Sequence, residues 1–130
     1  MLVQQKYERV KYNPSAPVLD IIVRPRPASS QQTGETIRVL VDSGADATMI
    51  PEALLVNIGA PRIDKRRSRG VYGQVRTVSL YLIDVQIGLL VIPSIQAIGV
   101  SDDDDPLIGR DVLNHLIVTL DGIGGVTEVS

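Results

Sequence analysis

The chain has 130 residues, which is enough for one domain with a single modest hydrophobic core and too few for two. Its 13 basic and 15 acidic residues leave a net charge of -2, so the charge balance offers no general attraction to nucleic acid, and no nucleic-acid partner is expected. The lack of cysteine and the single histidine exclude a disulfide framework, a thiolate metal site and a multi-histidine site. We expect no metal and no cofactor.

The hydrophobic residues predict β-structure. They make up 44% of the chain, and tyrosine is the only aromatic type, so the core has to be built from Val, Ile and Leu. Aliphatic β-branched side chains favour strands. The N-terminal region lacks the apolar segment of a signal peptide, and no window approaches about 18 uninterrupted apolar residues. A cytoplasmic protein with no membrane partner is expected.

Two strands and a long connection are predicted in the first third of the chain. Residues 3–12 alternate weakly between apolar and polar types and precede a turn-rich break, which is typical of a short strand or an ordered arm. Residues 18–23 and 36–41 have the composition of strands. The polar, proline-containing residues 25–35 would join them as the connection of a hairpin.

The second of these strands leads directly into polar residues. Residues 39–41 read Val-Leu-Val and are followed by Asp42, Ser43 and Gly44. A strand of this kind is a rigid support, Gly44 permits a close backbone approach or a turn with positive φ, and Ser43 can hydrogen-bond the turn. Such a loop holds a carboxylate still, although the same three residue types are also common at an ordinary strand end.

The centre of the chain predicts a strand, a helical turn and a long hairpin. Residues 48–51 have the pattern of a strand, and residues 52–56 that of a short helix beginning after Pro51. Residues 62–82 predict a hairpin with glycines at its tip. The first strand of this hairpin carries the densest basic run of the chain, which is interpreted as a solvated face.

The last third predicts one more strand, an acidic loop, a helix and a terminal strand. Residues 89–98 predict a strand in which Pro93 indicates an edge or a bulge. Residues 102–105 are four aspartates, interpreted as a solvated loop because the glycine and glutamate of an EF-hand are missing at the required offsets. Residues 111–116 predict a short helix and residues 117–120 a strand.

Two motifs resemble those of the retroviral-type aspartic proteases, the retropepsins. Residues 40–46 read Leu-Val-Asp-Ser-Gly-Ala-Asp, which is similar to the active-site signature of that family: two apolar residues, Asp, Thr or Ser, Gly, Ala and usually Asp. Residues 107–113 read Leu-Ile-Gly-Arg-Asp-Val-Leu, which is similar to its second signature, an apolar pair before Gly-Arg-Asn/Asp and an apolar helix. Two motifs in the order of the family are far more specific than one. The resemblance covers about residues 18–120.

The resemblance implies an all-β fold, a closed β-barrel-type half of an acid protease with a flap hairpin and one short C-terminal helix. Residues 1–130 would form a single retropepsin-like domain with its core at about residues 18–120. Residues 1–17 would be an N-terminal arm or strand, and residues 121–130 a C-terminal tail that the family pattern does not explain. The hairpin of residues 62–82 would be the flap that closes over bound peptide.

The same resemblance implies an aspartic endopeptidase that acts on peptide or protein substrates as a homodimer. Hydrolysis by general acid and base needs two carboxylates, and each chain provides one suitable loop, so Asp42 of both chains would lie on the two-fold axis. Ser43 would hydrogen-bond across that axis. Gly44 would offer its carbonyl to the substrate backbone. Asp42, Ser43 and Gly44 are therefore the expected catalytic residues.

Other roles follow from positions shared with the family motifs. Gly109 and Arg110 would give structural support. Asp46 would either meet the peptide backbone or pair with Arg110, a contact that can be bidentate. The acidic residues 102–105 would line the cleft and disfavour acidic substrate side chains. The expected substrate-binding residues are Ala45, Asp46, Ala47, Gly70, Val71, Tyr72, Gly73 and Ile98.

Three other functions are alternatives to an aspartic endopeptidase. A serine hydrolase would need glycine two residues before its nucleophile, where Val41 stands, and an aspartyl-phosphate enzyme would need a second aspartate where Gly44 stands. Both fail locally. The remaining alternative is a catalytically silent retropepsin-like module for dimerisation or peptide binding, because fold alone does not imply activity.

Overall fold

A computed structural model describes residues 2–26, 34–70 and 72–130. Within those residues the chain is mostly β-structure with two short helices. In chain order, the elements are β1 (Val3–Lys6), β2 (Val18–Pro25), β3 (Glu35–Val41), β4 (Met49–Pro51), α1 (Glu52–Asn57), β5 (Arg62–Arg69), β6 (Val75–Ile87), β7 (Leu90–Val100), β8 (Leu107–Ile108), α2 (Arg110–Leu113), β9 (Val118–Asp121) and β10 (Val126–Val129).

The larger sheet closes on itself. Its strand order is β2-β3-β8-β4-β7-β6-β5, and β2 also pairs with β6, so six strands form a closed circuit from which β5 extends as an edge. Closure leaves few strand edges unpaired. The expectation of an all-β, barrel-like architecture is confirmed.

One parallel pairing brings the two sequence motifs together. β3 and β8 run in the same direction, with Leu40 opposite Leu107 and Val41 opposite Ile108. Parallel strands end at the same edge of a sheet. The loop that follows β3 and the helix that follows β8 therefore begin side by side, which is why two distant motifs can build one site.

The core inside the closed circuit is aliphatic, as the composition requires. Along β2, Leu19, Ile21 and Val23 are buried and alternate with more exposed residues, the period of two expected of a strand with one face inward. They pack against buried side chains of β6, β7, α1 and α2. Burying one such side chain stabilises the fold by about 1.5–3 kcal/mol.

The C-terminal tail has a structural role that its sequence did not reveal. β10 lies between β1 and β9 and pairs with both in antiparallel fashion, which gives a separate three-stranded sheet. Val129 of β10 is completely buried in the main core, and Val3 and Val118 pack against the same core. The tail therefore ties the two ends of the chain to the barrel.

Pro93 marks a bulge, as expected. β7 continues through it, and the register with β6 shifts there, from Ile83 opposite Ile95 to Val85 opposite Ile92. Two residues of β7 then oppose one of β6. The predicted helix at residues 111–116 is shorter in the structure and displaced, at Arg110–Leu113.

Two further expectations concern the hairpin connection and the membrane. β2 extends to Pro25 and β3 begins at Glu35, so the connection is close to the expected length, and residues 27–33 within it lie outside the described part. Among the described residues, no helix has both the length and the apolar character needed to span a membrane.

Candidate active site

Asp42 stands at the start of a tight loop that follows β3. Its backbone N–H donates to the carbonyl of Ile108 (3.1 Å), which continues the pairing with β8 by one residue. Its carboxylate Oδ1 accepts a hydrogen bond from the backbone N–H of Gly44 at 2.9 Å. A Cβ on Gly44 would lie 3.1 Å from that same oxygen. A glycine at this position therefore leaves space for the carboxylate to accept the hydrogen bond from the amide. The loop thus holds Asp42 in one orientation.

The start of α2 packs closely against the loop that carries Asp42. The backbone N–H of Arg110 donates to the carbonyl of Ala45 (2.9 Å). Gly109 passes so close to the loop that a Cβ on it would lie 2.9 Å from carbonyl atoms of Ala45 and Ala47. Real Cβ atoms do not approach backbone atoms this closely, so the contact requires glycine at position 109.

A second connection joins the end of the loop to α2 through side chains. The carboxylate of Asp111 accepts hydrogen bonds from the backbone N–H of Thr48 (3.0 Å) and from its hydroxyl (2.8 Å). Thr48 is completely buried. Its hydroxyl oxygen in turn accepts a longer hydrogen bond from the backbone N–H of Gly109 (3.3 Å). These bonds satisfy a buried polar residue directly below the loop that carries Asp42.

Arg110 does not pair with Asp46, so that expectation was wrong. Its Nη1 donates to the carbonyl of Ser43 at 2.8 Å. Among the described ion pairs none includes Asp46, which is exposed. A guanidinium directed at a backbone carbonyl needs no carboxylate, and the carboxylate that joins the two motifs is the next residue, Asp111. Arg110 still supports the loop, by a charge-assisted bond to its backbone.

Asp42 opens onto a cleft of about 580 Å³ between the barrel and the β5–β6 hairpin. The floor is apolar, because Met49, Val78 and Val100 are half-buried around the buried residues Leu80 and Ile98. Half-buried apolar side chains in an open cleft suit apolar side chains of a ligand. The lining residues are Leu40, Asp42, Met49, Ser68, Arg69, Gly70, Tyr72, Gln74, Arg76, Val78, Ile98, Val100, Asp104, Asp105 and Leu107.

The β5–β6 hairpin forms the opposite side of the cleft. Its strands pair from Arg69–Val75 near the tip down to Arg62–Tyr81 at the barrel. At the tip, the N–H of Gly70 donates to the carbonyl of Gln74 (2.8 Å). Gly73 has φ +80, in the left-handed region that favours glycine. Nearly all of β5 is exposed, so the hairpin projects away from the core.

The sequence comparison decides the family. A family model described as "gag-polyprotein putative aspartyl protease" matches residues 29–115, which is more than half of the chain. The chain is a retropepsin-like aspartic protease family member. A search of curated proteins gives no significant match.

Solved structures show that this retropepsin-like chain has the fold of its family. A retropepsin-like aspartic protease from Rickettsia conorii has a TM-score of 0.72 at 15% identity, covering 99% of this chain and 89% of that chain. EIAV protease, in complex with the inhibitor HBY-793, has a TM-score of 0.53 at 19% identity, covering 82% of this chain and 93% of that chain. At such low identities the similarity concerns the fold.

The structure brings together several of the substrate-binding residues expected in a retropepsin-like chain. Gly70, Tyr72 and Ile98 line the cleft with Asp42. Gly73 lies at the tip of the hairpin, and Val71 lies outside the described residues.

Ala45, Asp46 and Ala47 are not among the lining residues of that cleft. Ala45 contributes its carbonyl to the clamp with Arg110. Ala47 is buried beneath the floor of the cleft. Asp46 and Ala47 border a separate cavity of about 320 Å³ that includes His115.

Two supporting residues were missed by sequence reasoning. The sequence pattern predicts only a strand residue at Thr48, and only a motif residue at the start of a helix at Asp111. A signal was present: Thr48 stands between apolar residues, and Asp111 occupies the first turn of a helix, where its side chain can reach backward. No described group of three or more His, Cys, Asp or Glu side chains is arranged to hold a metal ion.

Proposed function

We propose that this retropepsin-like chain is an aspartic endopeptidase that hydrolyses peptide bonds as a homodimer. The observation that carries the proposal is the placement of Asp42, with its carboxylate held by the Gly44 amide and facing an open cleft that has an apolar floor. A fixed carboxylate beside a groove for apolar side chains is what a peptide hydrolase requires.

The chemistry needs a second carboxylate, and a two-fold dimer supplies it. One carboxylate removes a proton from water while the other, protonated, polarises the peptide carbonyl. Two carboxylates a few Å apart cannot both ionise, so one proton is held between them. Each chain offers one Asp-Ser-Gly loop. Symmetry then places two copies of Asp42 on the axis in equivalent positions.

Ser43 and Gly44 have the exposure that their proposed roles need. Both are exposed in the isolated chain. The contact of Ser43 with Arg110 uses its carbonyl, which leaves the hydroxyl available for the partner loop. The Gly44 amide is engaged with Asp42, which leaves its carbonyl available for the substrate backbone.

The β5–β6 hairpin is proposed to act as a flap over bound peptide. It faces Asp42 across the cleft, projects from the barrel and bends at Gly73. Tyr72 at its tip is 93% exposed, so its ring is available to contact a bound peptide. A hairpin with few buried contacts can move without disturbing the core.

The dimer interface is proposed to include the free edge of β9. The other edge of β9 pairs with β10, so only this side can accept a further strand. Exposed apolar side chains cluster here, with Ile117 72% and Leu120 52% exposed. An unpaired apolar edge is a template for pairing with a second copy. The other outer strand of this sheet, β1, also pairs with β10 along one edge only, and its free edge is proposed to contribute to the same interface.

A peptide-library assay tests the activity. Purified wild-type protein and the Asp42→Asn variant would be incubated with fluorogenic peptides from pH 3.5 to 7.5. The proposal predicts cleavage by the wild type, with an acidic optimum, and none by a variant that remains folded and dimeric. Peptide binding without any cleavage by the wild type would instead support the catalytically silent module.

A further inference from the structure

The segment between β1 and β2, residues 7–17, forms an arm that is anchored beside the cleft. Glu8 and Ala16 exchange two backbone hydrogen bonds of 2.9 and 3.0 Å, which closes the intervening residues into a loop. The carboxylate of Glu8 also forms a 3.0 Å ion pair with Arg38 of β3. The loop is therefore fixed to the strand that carries Asp42 at its end.

The arm contacts the acidic loop of residues 102–105 through two side chains. The hydroxyl of Tyr12 donates to Oδ1 of Asp105 at 3.0 Å. The ammonium of Lys11 lies 3.4 Å from the same oxygen and 5.6 Å from the centre of the Tyr12 ring. Burial and the hydrogen bond to Asp105 both raise the pKa of Tyr12, so its phenol remains a donor at acidic and neutral pH.

Asp105 is also a wall of the cleft that contains Asp42. Its charge is offset by Lys11. The neighbouring Asp104 lines the same cleft, and it takes part in none of the described ion pairs. The hairpin contributes two cations to the cleft, Arg69 and Arg76, and the described ion pairs include neither. Besides Asp42, the cleft therefore contains two cations, Arg69 and Arg76, and one carboxylate, that of Asp104, which no described ion pair offsets.

We propose that Lys11 and Tyr12 are positioning residues for substrate selection, and that by holding Asp105 they let the cleft favour peptides with an acidic side chain near the scissile bond. This inference rests on the proposed protease function. It reverses the expectation that residues 102–105 disfavour acidic substrates. An Asp105 released from the arm would add a second free carboxylate and shift selection toward basic side chains.

Matched peptides measure this selection. They would differ only by Glu or Lys at one position, scanned on both sides of the scissile bond, and the readout is the ratio of kcat/KM for the Glu and Lys peptides. The wild type should favour Glu. The double variant Lys11→Met with Tyr12→Phe should lower the ratio about fivefold, as expected for one added charge several Å away in a solvated cleft. The effect should shrink in high salt.

Two further variants separate charge from structure. Adding Asp105→Asn to the double variant should restore the wild-type ratio, because the carboxylate that the arm offsets is then gone. The chain also offers a second Lys-Tyr pair, Lys6 and Tyr7, in which neither residue contacts Asp105. Lys6→Met with Tyr7→Phe should leave the ratio unchanged. If the double variant at the arm does not fold, Lys11→Met alone alters an exposed side chain and should shift the ratio in the same direction.

Each outcome has one meaning. A ratio that is unaffected by Lys11→Met and Tyr12→Phe, or that Asp105→Asn fails to restore, overturns the role of the arm while leaving the protease function intact. A wild type that prefers Lys overturns the proposed substrate class. A folded wild type that cleaves no peptide overturns the protease function, and this inference with it.

Discussion

Thr48 and Asp111 are joined by two hydrogen bonds, one from the backbone N–H of Thr48 at 3.0 Å and one from its hydroxyl at 2.8 Å, each to a different carboxylate oxygen. Thr48 ends the loop that carries Asp42, and Asp111 is the second residue of α2. The pair therefore connects the end of the Asp42 loop to the second family motif through a buried polar contact.

Removing this carboxylate should destabilise the protein. Asp111→Ala leaves two buried donors of Thr48 without a partner, and each such loss costs about 1–3 kcal/mol. We expect the free energy of unfolding to fall by about 2–4 kcal/mol in urea titrations. Asp46→Ala is the matched control, since that carboxylate is exposed and makes no described ion pair. Equal stability of the two variants would contradict the role given to Asp111.

Gly109 should not tolerate a side chain. Gly109→Ala places a methyl group 2.9 Å from backbone atoms of Ala45 and Ala47, which cannot move without shifting the loop that carries Asp42. Overpacking of this kind costs about 1–3 kcal/mol. Gly122→Ala is the control, because a Cβ there meets nothing within 4 Å. Thermal unfolding should show a lower Tm for Gly109→Ala only, and matching Tm values would refute the close approach.

A substitution at Gly73 tests whether the β5–β6 hairpin acts as a flap. A Cβ there would meet nothing, so Gly73→Val acts through its φ of +80 alone, which β-branched residues strongly disfavour. The hairpin lies outside the core, so we expect kcat/KM to fall about tenfold or more while the Tm changes little. Gly73→Asn should retain more activity, because asparagine tolerates the left-handed region. Unchanged kinetics in the valine variant would argue against a flap.

Arg38 should contribute stability at neutral pH that is lost in acid. Its hydrogen bonds and charge lower the pKa of Glu8 and of Asp20 below their usual values. A lowered folded-state pKa contributes stability above the unfolded-state pKa, and this contribution is lost as the pH falls through the folded-state pKa. The wild type should therefore lose stability between about pH 5 and pH 3, and Arg38→Met should show a shallower loss in that range. Parallel curves in denaturant titrations would contradict this linkage.

Much of the fold and of the candidate site around Asp42 could be predicted from the sequence. Asp42 follows an apolar strand, and the Gly-Arg-Asp motif follows another, so both local pattern and family resemblance pointed to the same site. The bulge at Pro93 was also predictable, because proline cannot donate to a strand ladder. These features depend on residues that are close together in the sequence.

Contacts between distant residues were not predictable in the same way. Asp46 and Asp111 are both aspartates within a family motif, so the sequence does not show which one joins the two motifs. In the structure, Asp111 accepts hydrogen bonds from the end of the loop. Arg110 donates instead to the carbonyl of Ser43. β10 has only four residues and follows glycines, too short a run to show a period. The contact of Tyr12 with Asp105 spans most of the chain.

The central claim is that one active site is shared by two chains, and a mixing experiment tests it most directly. Wild-type protein would be equilibrated with increasing excess of Asp42→Asn chains under conditions that allow subunit exchange, and the cleavage rate would be followed at a fixed wild-type concentration. Because a heterodimer holds one carboxylate in place of two, the rate should fall toward zero as the excess grows. Dilution of the wild type alone should likewise lower its specific activity. A rate that stays constant in both titrations would show that a single chain carries the whole catalytic site, and would contradict the shared carboxylate pair.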